Sequence, residues 1–413
     1  MAELRIELIA VGDELLMGMT LDTNSHYIAQ ALASHGLRLQ RLIWVADREE
    51  DIKAALDEAW SRADIVLMTG GLGPTHDDMT RPVIAAYFND RLEIRADLRD
   101  GILKRFENRG LKPAPGWEIM AEFPTMATPI PNDRGAAPGI HYRRDNHELF
   151  AVPGVPTEMK GMIDNYIIPI IAPSQAGGYR YRVIKTVGIG ESHLAVLIGD
   201  PAKLLPVGLA FLPSIDHGVT LRLSSYDNSS TNSEEALLRV EEIVSRAVQP
   251  YIYAKSDILL EAVIVELFRA KRLQMALAES CTGGMIAARI VNVPGSSEVL
   301  NRGVVSYSNQ AKIDLAGVPS SVIEEFGAVS EEVARSMAQG IRQESGVDIG
   351  LSVTGIAGPG GATETKPVGL TFIGIADATG CTVTKYMFAG NRDENRRRAT
   401  LAALTVLFKK LSA

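Results

Sequence analysis

Apolar positions in the first third of the chain fall in short bursts whose spacing switches between two and about 3.6 residues, the periods of strands and helices. Arg5–Val11 reads as a buried strand, and Thr23–Ser34 sets Ile28, Ala31 and Leu32 on one helical face. Leu37–Val45 alternates as a strand, Glu49–Ala63 is helical by pattern, and Ile65–Met68 is a short apolar strand that runs into TGGLGPTHDD. This β-α-β-α-β order predicts a parallel sheet with helices on both faces. Right-handed crossovers then line up the loops that follow the strands along one sheet edge.

PSQAGG, near residue 175, reads as a linker. A short module follows from Val183 to about Pro250. It has a strand, GIGES, a helix around His193–Ile198, a hairpin around Ser214–Gly218, and a final helix capped at Thr231–Ser233 with Glu234 and Glu235 in its first turn. From about Ser256 the α/β pattern returns. Ile258–Arg269 is helical, Gln274–Ala278 a strand before ESCTGG, and Met285–Ile290 a helix. Then come a strand at Gly303–Tyr307, a helix at Ser330–Ser345, a strand at Ile349–Val353 before TGIAGPGG, and strands at Leu370–Ile375 and Thr382–Phe388. A terminal helix starts at Asp393. The expected fold class is α/β: two α/β domains with mainly parallel sheets, at 1–174 and 256–413, joined by a small α+β domain at 175–255.

A length of 413 residues exceeds one ordinary core, which agrees with this division. The formal net charge of −8 argues against a general nucleic-acid binder, which needs excess Lys and Arg to displace phosphate counterions. Only two cysteines are present, Cys281 and Cys381, giving neither a disulfide framework nor zinc-ligand spacing. The N-terminus lacks a basic n-region, and no apolar run approaches the roughly 20 residues of a spanning helix. A soluble cytoplasmic protein without membrane partners is expected.

All seven histidines lie before residue 218. The C-terminal domain therefore has no Ser-His-Asp triad and no histidine-bound zinc of its own, and any base there is Lys, Tyr, Asp or Glu. Three of its loops follow predicted strands: Glu279–Gly284, Tyr307–Lys312 and Thr354–Gly361. Parallel strands would gather them at the carboxyl edge of the sheet, where such sheets bind ligands. Ser280 would sit on a strand-to-helix turn with its hydroxyl exposed. Gly283 and Gly284 would leave backbone N–H groups bare at a helix start, suited to an oxyanion or phosphate. Tyr307 would close its strand and Lys312 would lie one turn into the next helix. A partly desolvated lysine beside a serine and a tyrosine can lose its proton near neutrality and act as base. Plainer readings stand beside these: Ser280 and Thr282 as N-caps, Lys312 as a solvated helix residue, and Thr354 with its glycines as a tight turn. Cys281 is either a rival nucleophile or a small buried hydrophobe, and Arg392 a surface residue unless an anion lies nearby.

The strings ESCTGG, VNVPGSS, GVVSYSNQAK, FGAVSEE, VTGIAGPGG, KPVG and AGNRD occur in this order across 256–413 and resemble the C-terminal domain of the CinA family. The resemblance implies a cofactor-independent nicotinamide-nucleotide amidase that converts nicotinamide mononucleotide to nicotinate mononucleotide and ammonia. It implies Ser280, Tyr307 and Lys312 as catalytic residues. Thr282, Gly283, Gly284, Thr354 and Arg392 would hold the substrate.

In the first domain, Gly12-Asp13-Glu14 follows the first strand, Asp22-Thr23-Asn24 opens a helix, and Thr69–Asp78 follows the third strand. Glycines let phosphate approach the backbone, and Asp77 with Asp78 can hold Mg²⁺ or a similar cation. Equally, the two carboxylates can favour the start of a helix at Asp78–Tyr87 through its dipole. These loops, with AAPG at 136–139 and VPGVPTEM at 152–159, resemble the molybdopterin-binding-like domain of the same family. That resemblance implies either pterin binding or metal-dependent ADP-ribose pyrophosphatase activity. Asp13, Glu14, Asn24, Gly71, Gly73 and Thr75 would bind the substrate, and Asp77 and Asp78 the divalent metal. The middle segment, with VGIGES and VTLRLSS, resembles the family's KH-like module. GIGES is not basic, so a spacer or dimer element is expected over a nucleic-acid reader, and a homodimer would suit the family. The competing whole-chain reading is a non-catalytic adaptor in competence and recombination.

Overall fold

In a computed structural model, residues 4–75, 77–108, 110, 112, 117–172, 179–226 and 232–412 are described. The expected linker at 173–178 and the expected cap at Thr231 lie outside the described residues, as does His76. The chain divides into two compact units, Met1–Arg180 with Tyr226–Asn232, and Tyr181–Ser225 with Ser233–Ala413.

The first unit contains β1 (Ile6–Val11), α1 (Asp13–Leu16), α2 (Thr23–Ser34), β2 (Leu39–Val45), α3 (Glu49–Arg62), β3 (Ile65–Thr69) and α4 (Thr80–Tyr87). It continues with β4 (Leu92–Ile94), α5 (Ala96–Asn108), β5 (Glu122–Pro124), β6 (Thr128–Ile130), β7 (Gly139–Arg144), β8 (His147–Val152), α6 (Pro156–Met162) and α7 (Ile168–Ile171). A six-stranded sheet runs in the order β2-β1-β3-β8-β7-β6. Its first four strands are parallel. β1 is buried throughout and alternates between two cores: Ile6 and Leu8 pack with Ile28 of α2 and Met159 of α6, while Ile9 and Val11 pack with Leu56 of α3 and Ile84 of α4. Helices thus cover both faces, as the pattern predicts. The antiparallel extension through β7 and β6 is not expected from the sequence reading. It turns at Asp145, whose φ of 55° is left-handed. The helix expected from Asp78 begins at Thr80 instead, because Asp78 is drawn into the preceding loop.

The second unit opens with β9 (Tyr179–Thr186), α8 (Glu191–Ile198), β10 (Gly208–Ser214), β11 (Gly218–Tyr226), α9 (Ser233–Val248) and β12 (Ile252–Ala254), whose strands form the sheet β10-β11-β9-β12. Next come α10 (Leu260–Lys271), β13 (Met275–Glu279), α11 (Met285–Val291), β14 (Leu300–Val305), α12 (Asn309–Ala316), α13 (Ser320–Phe326) and α14 (Glu331–Ser345). β15 (Ile349–Gly355), β16 (Leu370–Asp377), β17 (Gly380–Met387) and α15 (Arg392–Ser412) complete it. The sheet order is β14-β13-β15-β16-β17; the first three strands are parallel and the last two antiparallel. The α+β module is packed on the C-terminal part rather than standing free as a connector. Arg397 of α15 pairs with Asp216 in the β10–β11 turn, and Arg289 of α11 donates to the Asp216 carbonyl at 2.7 Å while gripping Glu261 with two N–H groups. Among the described residues no helix is long and apolar enough to cross a membrane.

Small residues set the distance between α14 and the sheet. Ala276 and Ala278 of β13 face Val333 and Met337, and Ser352 Oγ donates to the Ala334 carbonyl at 2.6 Å. A Cβ on Gly350 would lie 2.2 Å from the Ala338 carbonyl oxygen. We expect Gly350→Ala to destabilise the second unit by about 1–3 kcal/mol through overpacking. Thermal or urea denaturation reads this directly, and an unchanged midpoint would contradict the close approach.

Candidate functional site

Three parallel strands deliver the C-terminal site. β13 stops at Glu279, and the next residues are pinned from both sides: Ser280 N–H donates to the Val353 carbonyl at 3.0 Å, and Ser306 N–H to the Glu279 carbonyl at 2.8 Å. The chain then turns through Gly283 and Gly284, at φ 60° and 91°, into α11. Left-handed backbone at two successive residues favours glycine.

This turn is clamped by charge. The buried Glu279 carboxylate accepts N–H groups from Gly284 at 3.0 Å, Ile286 at 3.2 Å and Ala287 at 2.8 Å. The Arg396 guanidinium donates to the carbonyls of Cys281 at 3.1 Å and Thr282 at 3.0 Å. The helix start is therefore not bare, which corrects the expectation of an anion site on Gly283 and Gly284. The Glu279 carboxylate takes the Gly284 N–H, as the helix dipole favours, and the Gly283 N–H donates to the Ser280 carbonyl at 3.1 Å. Thr282 is fully buried within the turn. Thr282, Gly283 and Gly284 shape the turn and are not among the residues lining the adjoining cavity.

Lys312 lies on α12, which begins with Ser308 accepting the Ala311 N–H at 3.0 Å. Its side chain is 2% exposed. Nζ lies 3.0 Å from Ser280 Oγ, 3.0 Å from the Ser306 carbonyl oxygen and 3.3 Å from that of Tyr307. No carboxylate is among these partners, and burial pulls the amine below the ordinary lysine value. The amine donates to all three oxygens. Of these only the Ser280 hydroxyl can also donate, so it is the partner from which a neutral amine could accept. Ser280 itself is 7% exposed, more buried than the sequence reading expects.

A cavity of about 170 Å³ adjoins this pair, and Tyr307, Asn309, Thr354 and Arg392 line it together with Ser280 and Lys312. Tyr307 lies two residues beyond the end of β14 and is 60% exposed. Its hydroxyl accepts from Arg392 at 2.8 Å, and Arg392 also donates to the Gly358 carbonyl at 2.7 Å. Thr354 is buried and donates to the Ala328 carbonyl at 2.8 Å. The structure thus brings Ser280, Tyr307, Lys312, Thr354 and Arg392 together. Glu279, Arg396, Ser306 and Asn309 are additions that the sequence reading did not single out. A carboxylate a few residues before a glycine turn and helix was the available signal for Glu279; none marked Arg396.

In the first unit the corresponding edge is acidic. Asp47 accepts the Asp13 N–H at 2.8 Å. Burial pushes its carboxyl up, that N–H opposes the shift, and the nearby carboxylates of Glu14, Asp13 and Asp77 add to it. Asn24 donates to the Gly154 carbonyl at 2.7 Å and to Thr69 Oγ at 3.2 Å, while its own carbonyl oxygen is buried without a partner. Gly71 is left-handed and abuts Thr80, and Gly73 abuts the Asp78 carboxylate. Asp78 accepts both the N–H and the hydroxyl of Thr75. Asp78 therefore closes the loop, and the Asp77 carboxylate lies near enough to Asp47 to help raise its carboxyl. Among the described residues no three His, Cys, Asp or Glu side chains converge closely enough to hold a metal ion by themselves.

Residues 7–173 match the probable molybdopterin binding domain, 181–254 the damage-inducible protein CinA KH domain, and 258–411 the CinA C-terminal domain. A CinA-like protein of Dictyoglomus thermophilum is 39% identical over 99% of both chains. A putative competence-damage inducible protein of Caldicellulosiruptor bescii is 40% identical over 98% of both. Among solved structures, the competence/damage inducible protein CihA of Agrobacterium tumefaciens is 38% identical over 37% of this chain and 94% of its own, with a TM-score of 0.36.

Burial pushes the Cys281 thiol up to about 12. At pH 8 only about one such thiol in ten thousand is ionised. Iodoacetamide should therefore leave Cys281 unlabelled in the folded protein and label it in urea. Rapid native labelling, read by mass spectrometry, would reinstate it as a rival nucleophile.

Proposed function

This chain belongs to the CinA family, and from that premise we propose that its C-terminal domain hydrolyses the carboxamide of nicotinamide mononucleotide to give nicotinate mononucleotide and ammonia. The observation that carries the reading is the buried, carboxylate-free Lys312 amine, 3.0 Å from the Ser280 hydroxyl. As Ser280 Oγ bonds to the amide carbon, its proton passes to Lys312 Nζ, which returns it to the departing nitrogen. Water then releases the acid and restores Ser280. A cavity of about 170 Å³ suits a single ring with its carboxamide, leaving the phosphoribosyl part at the mouth, where Tyr307 and Arg392 stand. Arg392 would meet the phosphate through its fork of N–H donors.

Ser280→Ala and Lys312→Ala should each lower ammonia release from nicotinamide mononucleotide by about 10²–10⁴-fold, the usual range for a lost base or nucleophile. Turnover at the level of the unmodified enzyme in both would remove the chemistry. The pH dependence has a definite sign. The base works only when neutral, so the rate falls as pH drops through the Lys312 ionisation. That limb lies below the ordinary lysine value of 10.5 because burial disfavours the charged form. A limb at or above that value would deny Lys312 the role.

The Asp47 environment favours a second activity in the first unit, metal-dependent cleavage of the ADP-ribose pyrophosphate. Asp13, Glu14, Asp47 and Asp77 are hard oxygen donors suited to Mg²⁺ completed by substrate phosphates and water. The cation would neutralise phosphate charge and activate water. Asn24, Gly71, Gly73 and Thr75 would shape the phosphate loop, with Asp78 holding Thr75. Asp47→Asn and Asp77→Ala should each reduce Mg²⁺-dependent AMP release at least ~10-fold. Full activity in both, or activity indifferent to chelators, would count against it and leave pterin binding as the domain's role.

A further inference from the structure

A cavity of about 570 Å³ in the second unit lies away from the Ser280–Lys312 pair. It falls between the α+β module and the C-terminal part, both within one compact unit. The Gly188-Ile189-Gly190 loop between β9 and α8 and the β10–β11 turn form one wall. Tyr386, Phe388 and the α15 residues Arg398, Leu401 and Ala402 form the other. Its volume is within the range of small-molecule sites, about 300–1,000 Å³.

Three features define what fits. The Tyr386 and Phe388 rings stack with centroids 5.5 Å apart and planes inclined by 12°, presenting a half-buried aromatic platform that a planar ring can extend. Arg398 is exposed at the cavity and has no carboxylate partner among the described residues. A second cation is close to the glycine loop: Lys409 Nζ stands 3.2 Å from where a Cβ on Gly188 would be. Glu191 supplies a carboxylate at the rim. An aromatic platform, a guanidinium and a single carboxylate are complementary to a base, a phosphate and ribose hydroxyls respectively.

We propose that this cavity binds a mononucleotide, with its base stacked on Tyr386 and Phe388, its phosphate on Arg398 and its ribose hydroxyls on Glu191. The site is separate from the amide-cleaving pair and its proposal does not rest on that chemistry. It also gives the glycine loop of the α+β module a role that needs no nucleic acid, in keeping with the net charge of −8.

Calorimetric titration of the full chain with adenosine 5′-monophosphate and uridine 5′-monophosphate tests this. Both probes carry a phosphate that Arg392 at the Ser280 cavity could also meet, so the titration is repeated in Arg392→Ala, and the event read here is the one that persists in that variant. One binding event should weaken about tenfold to a hundredfold in Arg398→Ala, which removes a charge-assisted contact. The same event should vanish in Ala402→Trp, which fills the cavity. Arg398 is at the surface, so that variant reports even if Ala402→Trp unfolds. Asp77→Ala should leave this event intact, which separates it from nucleotide binding in the first unit. Absence of binding by both probes at millimolar concentration, or binding unchanged in Arg398→Ala, would overturn the proposal. So would an oligoadenylate that binds more tightly than its monomer, because the site would then be a strand-binding groove.

Discussion

A buried amine with no counter-charge is the constraint around which the C-terminal half is organised. Taking Lys312 out of water disfavours its ammonium form, and neighbouring backbone must supply what solvent no longer does. Two carbonyls from the segment after β14 and one hydroxyl from the segment after β13 meet that need. They converge only because β14 and β13 are adjacent and parallel, so both chains leave the sheet at the same edge. On the proposed reading, the lysine also makes a histidine unnecessary in a stretch of chain that has none.

The Ser280 turn is held by opposite charges acting on opposite ends of the peptide group. Glu279 takes N–H groups and Arg396 takes carbonyls, so neither is left to compete for Lys312 or for a bound amide. The first unit solves a related problem with the same topology and the opposite charge. There, loops at a carboxyl edge bring Asp13, Glu14 and Asp77 near Asp47, whose carboxyl is raised first by burial and further by these charges. The same parallel-sheet edge presents a buried amine in one half and a group of carboxylates in the other.

The parallel strands were legible because buried runs such as Ile6–Val11 and Met275–Glu279 end abruptly in polar, glycine-bearing loops. Helix bounds followed from periodicity and caps, as with Thr23–Ser34. The β7–β8 hairpin escaped notice because its alternation is short and its turn at Asp145 lacks glycine. Ser280, Lys312 and Tyr307 could be gathered from loop position alone. Glu279 could not be assigned its task, since nothing in local sequence says which way a carboxylate at a strand end will swing. Asp47 and Arg396 act across long separations, 34 residues to Asp13 and 115 to Cys281, and only the folded chain reveals such pairings.

The terminal helix α15 touches three places at once: Arg392 at the cavity, Arg396 on the serine turn and Arg397 on the α+β module. During synthesis the serine and the lysine leave the ribosome long before these arginines do. A nascent or prematurely terminated polypeptide would hold the reactive pair while lacking the guanidinium that steadies it. Steadying of the Ser280 turn thereby waits on the synthesis of this helix.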